Sequence, residues 1–203
     1  LQCQMEAETE MHICADCGER TDQDICTECG APSLLQGRYR LLEPVGHGAH
    51  GRTYRAEDAE SGREVAVKEL PWRLGDDPAQ RRKLLREAEI LRQIDHPGTP
   101  DYIGHFFAGS GRHSSLCIVQ SYVAGKTLLE LAKEQRMEQA EVWRIAEQLL
   151  EILTYLHSLS PPVIHRDIKP ANVIRRDADG AYVLIDFGAV RDAATRDGPG
   201  TCS

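Results

Sequence analysis

The sequence lacks long apolar runs, an apolar N-terminal segment and an excess of basic residues. No apolar run reaches the length of about 18 residues that a membrane-spanning helix needs, so we expect no membrane segment in this chain. Nothing near the N-terminus is typical of a signal peptide. Lys and Arg number 24 against 32 Asp and Glu, a net charge of −8. This acidic balance argues against broad binding to nucleic acids or anionic membranes.

The remaining composition is that of a soluble globular protein, with 41% hydrophobic and 28% charged residues. A length of 203 residues corresponds to one or two domains. Residues 1–11 are acidic and without periodicity, and we expect a disordered leader there.

Four of the seven cysteines form two similar motifs, CADCG at residues 14–18 and CTECG at residues 26–30. Paired cysteines in tight turns are typical of tetrahedral zinc sites, and the glycine after each pair permits the positive φ of such a turn. Redox pairs of this kind belong to a βαβ context, which is absent here. We therefore predict a minimal zinc ribbon at residues 12–30, with structural Zn²⁺ held by Cys14, Cys17, Cys26 and Cys29.

The ribbon suits a reducing compartment, so we expect the protein in the cytoplasm. It contains one Arg, no Lys and no aromatic residue. A protein contact through the ribbon is therefore favoured over nucleic-acid binding, although a zinc-ribbon nucleic-acid binder with an accessory domain stays an alternative. Residues 31–37 are interpreted as a linker.

A glycine-rich stretch, VGHGAHGRTY at residues 45–54, lies between two strand patterns. Glycines allow a backbone to close over phosphates where side chains would clash. A dinucleotide-binding fingerprint would need a helix to open at the last glycine, whereas the sequence here continues as a strand. A second strand, EVAVKEL at residues 64–70, follows, and a helix is predicted at residues 81–94 from its apolar spacing.

The strings HRDIKPAN at residues 165–172 and DFG at residues 186–188 follow short apolar runs at residues 162–164 and 182–185. Such runs are typical of short buried strands, so the polar residues are expected on loops at strand ends. The two strings supply a carboxylate, a cation and oxygen ligands for magnesium, which phosphoryl transfer needs. A polar loop between two strands is the alternative, and the combination of both strings argues against it.

From about Tyr39 to about Arg191 the chain resembles the protein kinases, in particular the bacterial serine/threonine kinases that are similar to eukaryotic ones. The resemblance implies an α+β, two-lobe fold preceded by the zinc-ribbon module. A five-stranded antiparallel N-lobe with one helix would occupy residues 38–124. A partial helical C-lobe, ending in the activation loop, would occupy residues 125–203.

The resemblance also implies a role for each motif residue. Asp167 would orient the substrate hydroxyl, Lys169 would neutralise the γ-phosphate, and Asn172 with Asp186 would hold Mg²⁺ or Mn²⁺. Lys68 would contact the α- and β-phosphates and pair with Glu87, for which Glu89 is the alternative. The positions implied to bind ATP are Val45, Gly46, Gly48, Gly51, Thr53, Ala66, Lys68, Gln120, Ser121, Val123 and Ile174.

The implied activity is ATP-dependent phosphorylation of Ser and Thr hydroxyls in protein substrates. The alternative is a nucleotide-binding pseudokinase or scaffold without transfer, which the filled catalytic positions disfavour. The family continues beyond the DFG motif through a substrate-binding loop and several helices that do not occur here. We therefore expect the 203-residue chain alone to be weakly active or inactive.

Overall fold

The computed structural model describes residues 11–48, 51–72, 78–109, 114–134, 136–187 and 191–192. The leader expected at residues 1–11 lies outside these ranges except for Met11. The chain forms two compact units. The first comprises Leu1–Asp76 and His105–Val119, and the second comprises Asp77–Gly104 and Gln120–Ser203.

A seven-stranded sheet organises the first unit. It confirms the five antiparallel strands expected for the N-lobe and adds two short strands from the cysteine-containing segment. The order across the sheet is β2-β1-β3-β4-β5-β7-β6. The strands are β1 (His12–Ile13), β2 (Arg20–Thr21), β3 (Tyr39–Gly48), β4 (Gly51–Asp58), β5 (Arg63–Trp72), β6 (Tyr102–Ala108) and β7 (Ser114–Ser121).

Alternation along β5 assigns its side chains to two faces. Val65 and Val67 are buried, whereas the intervening Ala66 and the following Lys68 are half-buried. Since successive side chains of a strand point to opposite faces, the two valines and Lys68 lie on different sides of the sheet. The core on the valine side comprises Tyr39, Leu41, Ala56, Val65, Val67, Cys117 and Val119.

An ion pair fastens the start of β3 to the end of β4. The guanidinium of Arg38 donates to both carboxylate oxygens of Asp58 at 2.7 and 2.8 Å. Ser61 Oγ donates to the same carboxylate at 2.7 Å. These donors, Arg38 first, lower the pKa of Asp58 well below its ordinary value. The buried carboxylate therefore stays charged, and its charge is compensated by the Arg38 guanidinium.

Residues 31–37, interpreted from sequence as a linker, make their own backbone hydrogen bonds. The Leu35 N–H donates to the Tyr39 carbonyl at 2.9 Å, and the Ser33 N–H donates to the Asp24 carbonyl at 2.8 Å. Ser33 is fully buried. The segment is thus bonded both to the ribbon and to β3.

The second unit combines helices with two small sheets, ordered β11-β10-β8 and β12-β9. Its 3₁₀ turn, Pro170–Asn172, precedes β10. The other elements are α1 (Pro78–Leu91), β8 (Gly125–Thr127), α2 (Leu128–Glu134), α3 (Gln139–Ser158), β9 (Val163–Ile164), β10 (Val173–Arg176), β11 (Tyr182–Leu184) and β12 (Arg191–Asp192). None of the helices in the described ranges is both long and apolar enough to cross a membrane.

The helix predicted at residues 81–94 begins and ends three residues earlier, as α1. Pro78 occupies its first position, where a missing N–H costs nothing. After Leu91, the Ile94 N–H donates to the Leu91 carbonyl at 3.2 Å, a tighter turn than an α-helix makes. Ile94 is nevertheless buried, as its place in the apolar pattern predicted.

Helix α3 positions β11 through Tyr182. The Tyr182 hydroxyl donates to the Glu141 carboxylate, and its backbone N–H donates to Gln148 Oε1 at 2.8 Å. The Arg144 guanidinium lies over its ring, 5.5 Å from the centroid. Because Tyr182 is fully buried, these bonds fix the start of the strand that leads to Asp186.

Candidate active site

The loop between β9 and β10 brings three of the predicted site residues together. Lys169 Nζ lies 2.7 Å from Asp167 Oδ2. Asn172 Nδ2 donates to the same oxygen at 2.9 Å and to the Asp167 carbonyl at 2.8 Å. A cation and an amide thus hold one carboxylate, leaving its other oxygen as an acceptor that a hydroxyl could approach.

These contacts lower the pKa of Asp167. The hydrogen bond from Lys169 is the largest cause and the bond from Asn172 adds to it, while the negative charge of Asp186 opposes them. The side chain is half-buried. Asp167 is therefore a carboxylate at neutral pH, the form that accepts a hydrogen bond from a hydroxyl.

Strand pairing brings Asp186 to the same loop. Val173 pairs with Leu184, and the Ile185 N–H donates to the Asn172 carbonyl at 2.8 Å. The Asn172 amide nitrogen is committed to Asp167, so its side-chain oxygen is the atom that could ligate a cation. One amide oxygen and one carboxylate at neighbouring strand ends are hard oxygen donors, and they fit a magnesium ion.

Two residues of the motifs have left-handed backbone conformations, Arg166 with φ 65° and Asp186 with φ 62°. This region is unfavourable for side chains other than Gly, Asn and Asp and is concentrated at functional sites. Arg166 directly precedes Asp167, and Asp186, whose residue type tolerates this region, is itself a candidate metal ligand.

A buried histidine ties the two motifs together. His165 Nδ1 accepts from the Asp167 N–H at 3.3 Å, and Nε2 lies 3.2 Å from the Ile185 carbonyl. Its ring packs edge-on against Phe187, with centroids 4.8 Å apart. The bonds require the neutral ring with its proton on Nε2. The third residue of the DFG motif, Gly188, lies outside the described residues.

In the first unit, the glycine-rich stretch forms the β3–β4 hairpin. Gly46 pairs with Thr53, and Thr53 pairs with Lys68 of β5. Directly paired residues share a sheet face, so Gly46, Thr53 and Lys68 form one row across three strands. Val45 is 46% exposed. Gly48 pairs with Gly51, and the hairpin tip at residues 49–50 lies outside the described part of the chain.

Gly51 cannot carry a side chain, for a reason that is separate from phosphate binding. Its φ is +134°, and a Cβ there would lie 1.9 Å from the Glu69 carbonyl oxygen. The close approach of β4 to β5 therefore excludes any side chain. At Gly46 a Cβ would lie 3.6 Å from the nearest Thr53 atom, an ordinary contact.

Lys68 belongs to the first unit, and its predicted partner Glu87 belongs to the second. Lys68 is half-buried on β5. Glu87 lies on α1, and its side chain is outside the described part of the structure. Glu89, the alternative partner, is exposed.

The residues expected around the base of a nucleotide lie on three strands and a connection. Ala66 pairs with Arg55, and Ile174 pairs with Thr127 and Val183. Val123 is half-buried in the connection before β8.

Two further positions of this set end β7. Gln120 has a buried Nε2 with no hydrogen-bond partner among the described residues, a donor that a bound ligand could satisfy. The Ser121 N–H donates to the Asp101 carbonyl at 2.8 Å, and Ser121 Oγ accepts from the Asp101 N–H at 2.8 Å.

The four cysteines of the two motifs form one cluster, with all sulfur atoms within 4.8 Å of one another. Cys14 Sγ lies 3.7 Å from Cys29 Sγ, and Cys17 Sγ lies 3.6 Å from Cys26 Sγ. A tetrahedron with zinc–sulfur bonds of about 2.3 Å has edges of about 3.8 Å. The distances therefore fit a zinc ion.

The cysteine turns are formed by the glycines that follow them. The Gly18 N–H donates to the Cys14 carbonyl at 2.9 Å, and the Gly30 N–H donates to the Cys26 carbonyl at 2.8 Å. Within the cluster, a hydrogen bond from the Cys29 backbone lowers the pKa of Cys26 to about 7, whereas burial and the neighbouring thiols raise the pKa of Cys17 and Cys29. Outside the cluster, burial raises the pKa of Cys117 to about 12, as expected of an unreactive core thiol.

Sequence reasoning missed the contacts that position the site from behind. Tyr182 was interpreted only as part of an apolar strand, whereas it binds Glu141 and Gln148 of α3. The available signal was the placement of these two polar residues seven positions apart on one helix face.

Comparisons with known proteins show the family to which the chain belongs. The model of the protein kinase domain matches residues 39–200. Serine/threonine-protein kinase B of Synechocystis is 38% identical over 175 residues, which cover 83% of this chain and 29% of that protein. PknA of Nostoc is 38% identical over 166 residues (79% and 29%), and pkn2 of Myxococcus xanthus is 34% identical over 160 residues (78% and 19%). The chain thus spans less than a third of the length of these relatives. Because the family model matches most of its length, the chain belongs to the protein kinase family.

Proposed function

We propose that the protein is an ATP-dependent serine/threonine protein kinase, which transfers the γ-phosphoryl group of ATP to Ser and Thr hydroxyls of protein substrates. The observation that carries this proposal is the hydrogen-bonded group of Asp167, Lys169 and Asn172. Two bacterial relatives are named serine/threonine-protein kinases, which supports the substrate class.

In this proposal Asp167 accepts the hydrogen bond of the substrate hydroxyl and orients its oxygen toward the phosphorus. Its lowered pKa suits a group that must be ionised to act. Lys169 supplies positive charge where the phosphoryl oxygens gather negative charge. Positioning and charge stabilisation are the main demands of this reaction.

Asn172 and Asp186 would hold Mg²⁺ or Mn²⁺ through one amide oxygen and one carboxylate. When bound, the ion neutralises charge on the β- and γ-phosphates. The chain's own contribution is to hold both ligands at neighbouring strand ends, through the Ile185–Asn172 backbone bond and the Val173–Leu184 pair.

ATP would be bound by the glycine-rich hairpin and by Lys68, whose partner we propose to be Glu87. Ala66, Ile174 and the backbone of residues 121–123 would contact the base, with Gln120 behind it. The unpartnered Nε2 of Gln120 supports a ligand on that side.

Three further proposals concern the context of the kinase. Structural zinc would occupy the four-cysteine site, supported by its sulfur–sulfur distances. The ribbon would present a contact surface to another protein, and the cysteine pairs suit a cytoplasmic location.

The test is transfer of radiolabelled γ-phosphate from ATP to Ser-, Thr- and Tyr-containing acceptor peptides, followed by phosphoamino-acid analysis. It should be run on the 203-residue chain and on the full-length product of its gene, because the relatives are longer. We expect label on Ser and Thr. Binding of ATP without transfer in both forms would favour the pseudokinase alternative, and label on Tyr alone would contradict the substrate class.

A further inference from the structure

The first cysteine of the metal site directly follows a strand of the kinase sheet. β1 pairs with β2 through Ile13 and Arg20, and on its other side Ile13 pairs with Leu41 of β3. Cys14 comes next in the chain and is buried. The cysteine ribbon is thus continuous with the sheet that carries the glycine-rich hairpin.

Apolar packing reinforces this strand pairing. Ile13, Ala15 and Leu35 pack against the core cluster of the sheet, which includes Val65 and Val67. Those two valines point away from the Lys68 face. The ribbon therefore covers the face opposite the lysine, and it can influence a nucleotide only through the sheet itself.

Buried polar bonds join the first half of the ribbon to the segment that follows the second half. His12 Nε2 lies 2.8 Å from Ser33 Oγ, which donates to the Gln23 carbonyl at 2.6 Å. The Ala15 N–H donates to the Ser33 carbonyl at 3.0 Å. Both His12 and Ser33 are almost fully buried, so these bonds hold residues 12–33 together as one unit that packs on the sheet.

The ribbon has too little structure of its own to maintain these contacts. β1 and β2 contain two residues each, and a segment of this size has no sufficient core without a metal. Without a cation, the four clustered thiols offer one another only weak S–H···S contacts, whereas a bound cation would attract all four thiolates at once.

We propose that zinc bound by Cys14, Cys17, Cys26 and Cys29 clamps residues 12–37 onto the kinase sheet, on the face opposite Lys68. The metal is then a structural component of the nucleotide-binding lobe, and its removal loosens β3 and the glycine-rich hairpin that β3 begins. This inference rests on the proposed zinc site and is independent of phosphoryl transfer.

The experiment compares the nucleotide-free protein before and after treatment with a zinc-selective chelator. Zinc content, hydrogen exchange of peptides covering β3 and β4, and melting temperature are measured. We expect a single zinc ion per chain. After its removal, exchange in β3 and β4 should be at least about tenfold faster and the melting temperature lower by about 5 °C or more. Added zinc should restore both.

Variants separate the clamp from a general loss of stability. Cys29→Ser removes an exposed ligand. With no chelator present, this variant should already show the faster exchange and the lower melting temperature. Cys117→Ala removes a core thiol outside the metal site, so the chelator should still cause the full shift. Ile13→Ala keeps all four ligands, and it should retain zinc while exchanging faster in β3.

Two results would overturn the proposal. One is a chain that binds no zinc. The other is a chain that binds zinc but whose β3 and β4 exchange at the same rate after its removal, which would make the ribbon an independent module. Since no readout uses phosphoryl transfer, an inactive kinase would not be mistaken for either result.

Discussion

Lys169 Nζ lies 2.7 Å from Oδ2 of Asp167, with half of the lysine side chain and about a third of the aspartate side chain exposed. The bond lowers the pKa of Asp167. Replacing Lys169 by Met should therefore raise that pKa toward the ordinary value of about 3.9, although the Asn172 bond still opposes the rise. Asp167 would then lose its charge at a higher pH than in the wild type.

A carboxylate titration of ¹³C-labelled aspartate by NMR measures this pKa directly. Lys133→Met, an exposed lysine on α2, removes the same charge elsewhere and should leave the Asp167 titration unchanged. An identical Asp167 pKa in the wild type and in Lys169→Met would mean that the ion pair does not form in solution.

Asn172 has two tasks in this account, and two substitutions separate them. Asn172→Ala removes both the hydrogen bonds to Asp167 and the metal ligand, so transfer should fall by about 100-fold. Both variants should need more Mg²⁺ than the wild type for a half-maximal rate. The rise should be smaller for Asn172→Asp, which retains an oxygen ligand but loses the N–H donors. Titrating Mg²⁺ at saturating ATP distinguishes them. Wild-type rates in both variants would contradict the assignment.

The two glycines of the β3–β4 hairpin should differ in their tolerance of a methyl group. Gly51→Ala forces its Cβ against the Glu69 carbonyl at a positive φ, and it should lower the free energy of unfolding by about 2 kcal/mol or more. Gly46→Ala meets only an ordinary contact and should cost less than about 1 kcal/mol. Urea unfolding of the two variants measures the difference, and equal costs would show that β4 does not approach β5 as closely as described.

The Arg38–Asp58 pair should stabilise the first unit in a pH-dependent way. Asp58→Asn replaces charged hydrogen bonds with weaker ones and should cost about 1.5–3 kcal/mol at pH 7. Glu60 also contacts Arg38, at 3.0 Å, but its side chain is 68% exposed. Glu60→Gln is therefore the matched control and should cost less than about 1 kcal/mol.

The sign of the pH effect follows from the lowered pKa of Asp58 in the folded state. Its stabilisation is complete above the unfolded pKa of about 3.9 and is lost as the pH falls through the folded pKa. The stability difference between the wild type and Asp58→Asn should thus be constant near neutral pH and shrink below about pH 4. Urea unfolding at several pH values tests this, and a difference that grows in acid would be the wrong sign.

Most strands and helices could be predicted because their apolar spacing is strong. Val65 and Val67 alternate with Ala66 and Lys68 in β5, and apolar residues recur at helical spacing through α3, Gln139–Ser158. Within that helix the apolar residues are only partly buried. Ile145, Ile152 and Leu156 are in the core, but Val142 is 50% exposed, because periodicity assigns a face and not the width of the neighbouring contact.

The position of the ribbon on the sheet could not be predicted. It depends on the pairing of Ile13 with Leu41, between a strand of two residues and a strand of ten. A strand of two residues is too short to show an alternating apolar pattern. The requirement for Gly51 was hidden for a similar reason, because it comes from the neighbouring backbone at Glu69 and not from the local sequence.

The most direct test of the account is the rate of phosphoryl transfer by the wild type and by Asp167→Asn at equal ATP occupancy. Asparagine preserves the shape of the side chain but cannot act as a carboxylate. The account predicts that transfer falls by about 100-fold or more, while the affinity for Mg²⁺ and ATP changes little. Equal transfer rates would contradict the assignment of Asp167 as the group that orients the hydroxyl, and with it the proposed mechanism.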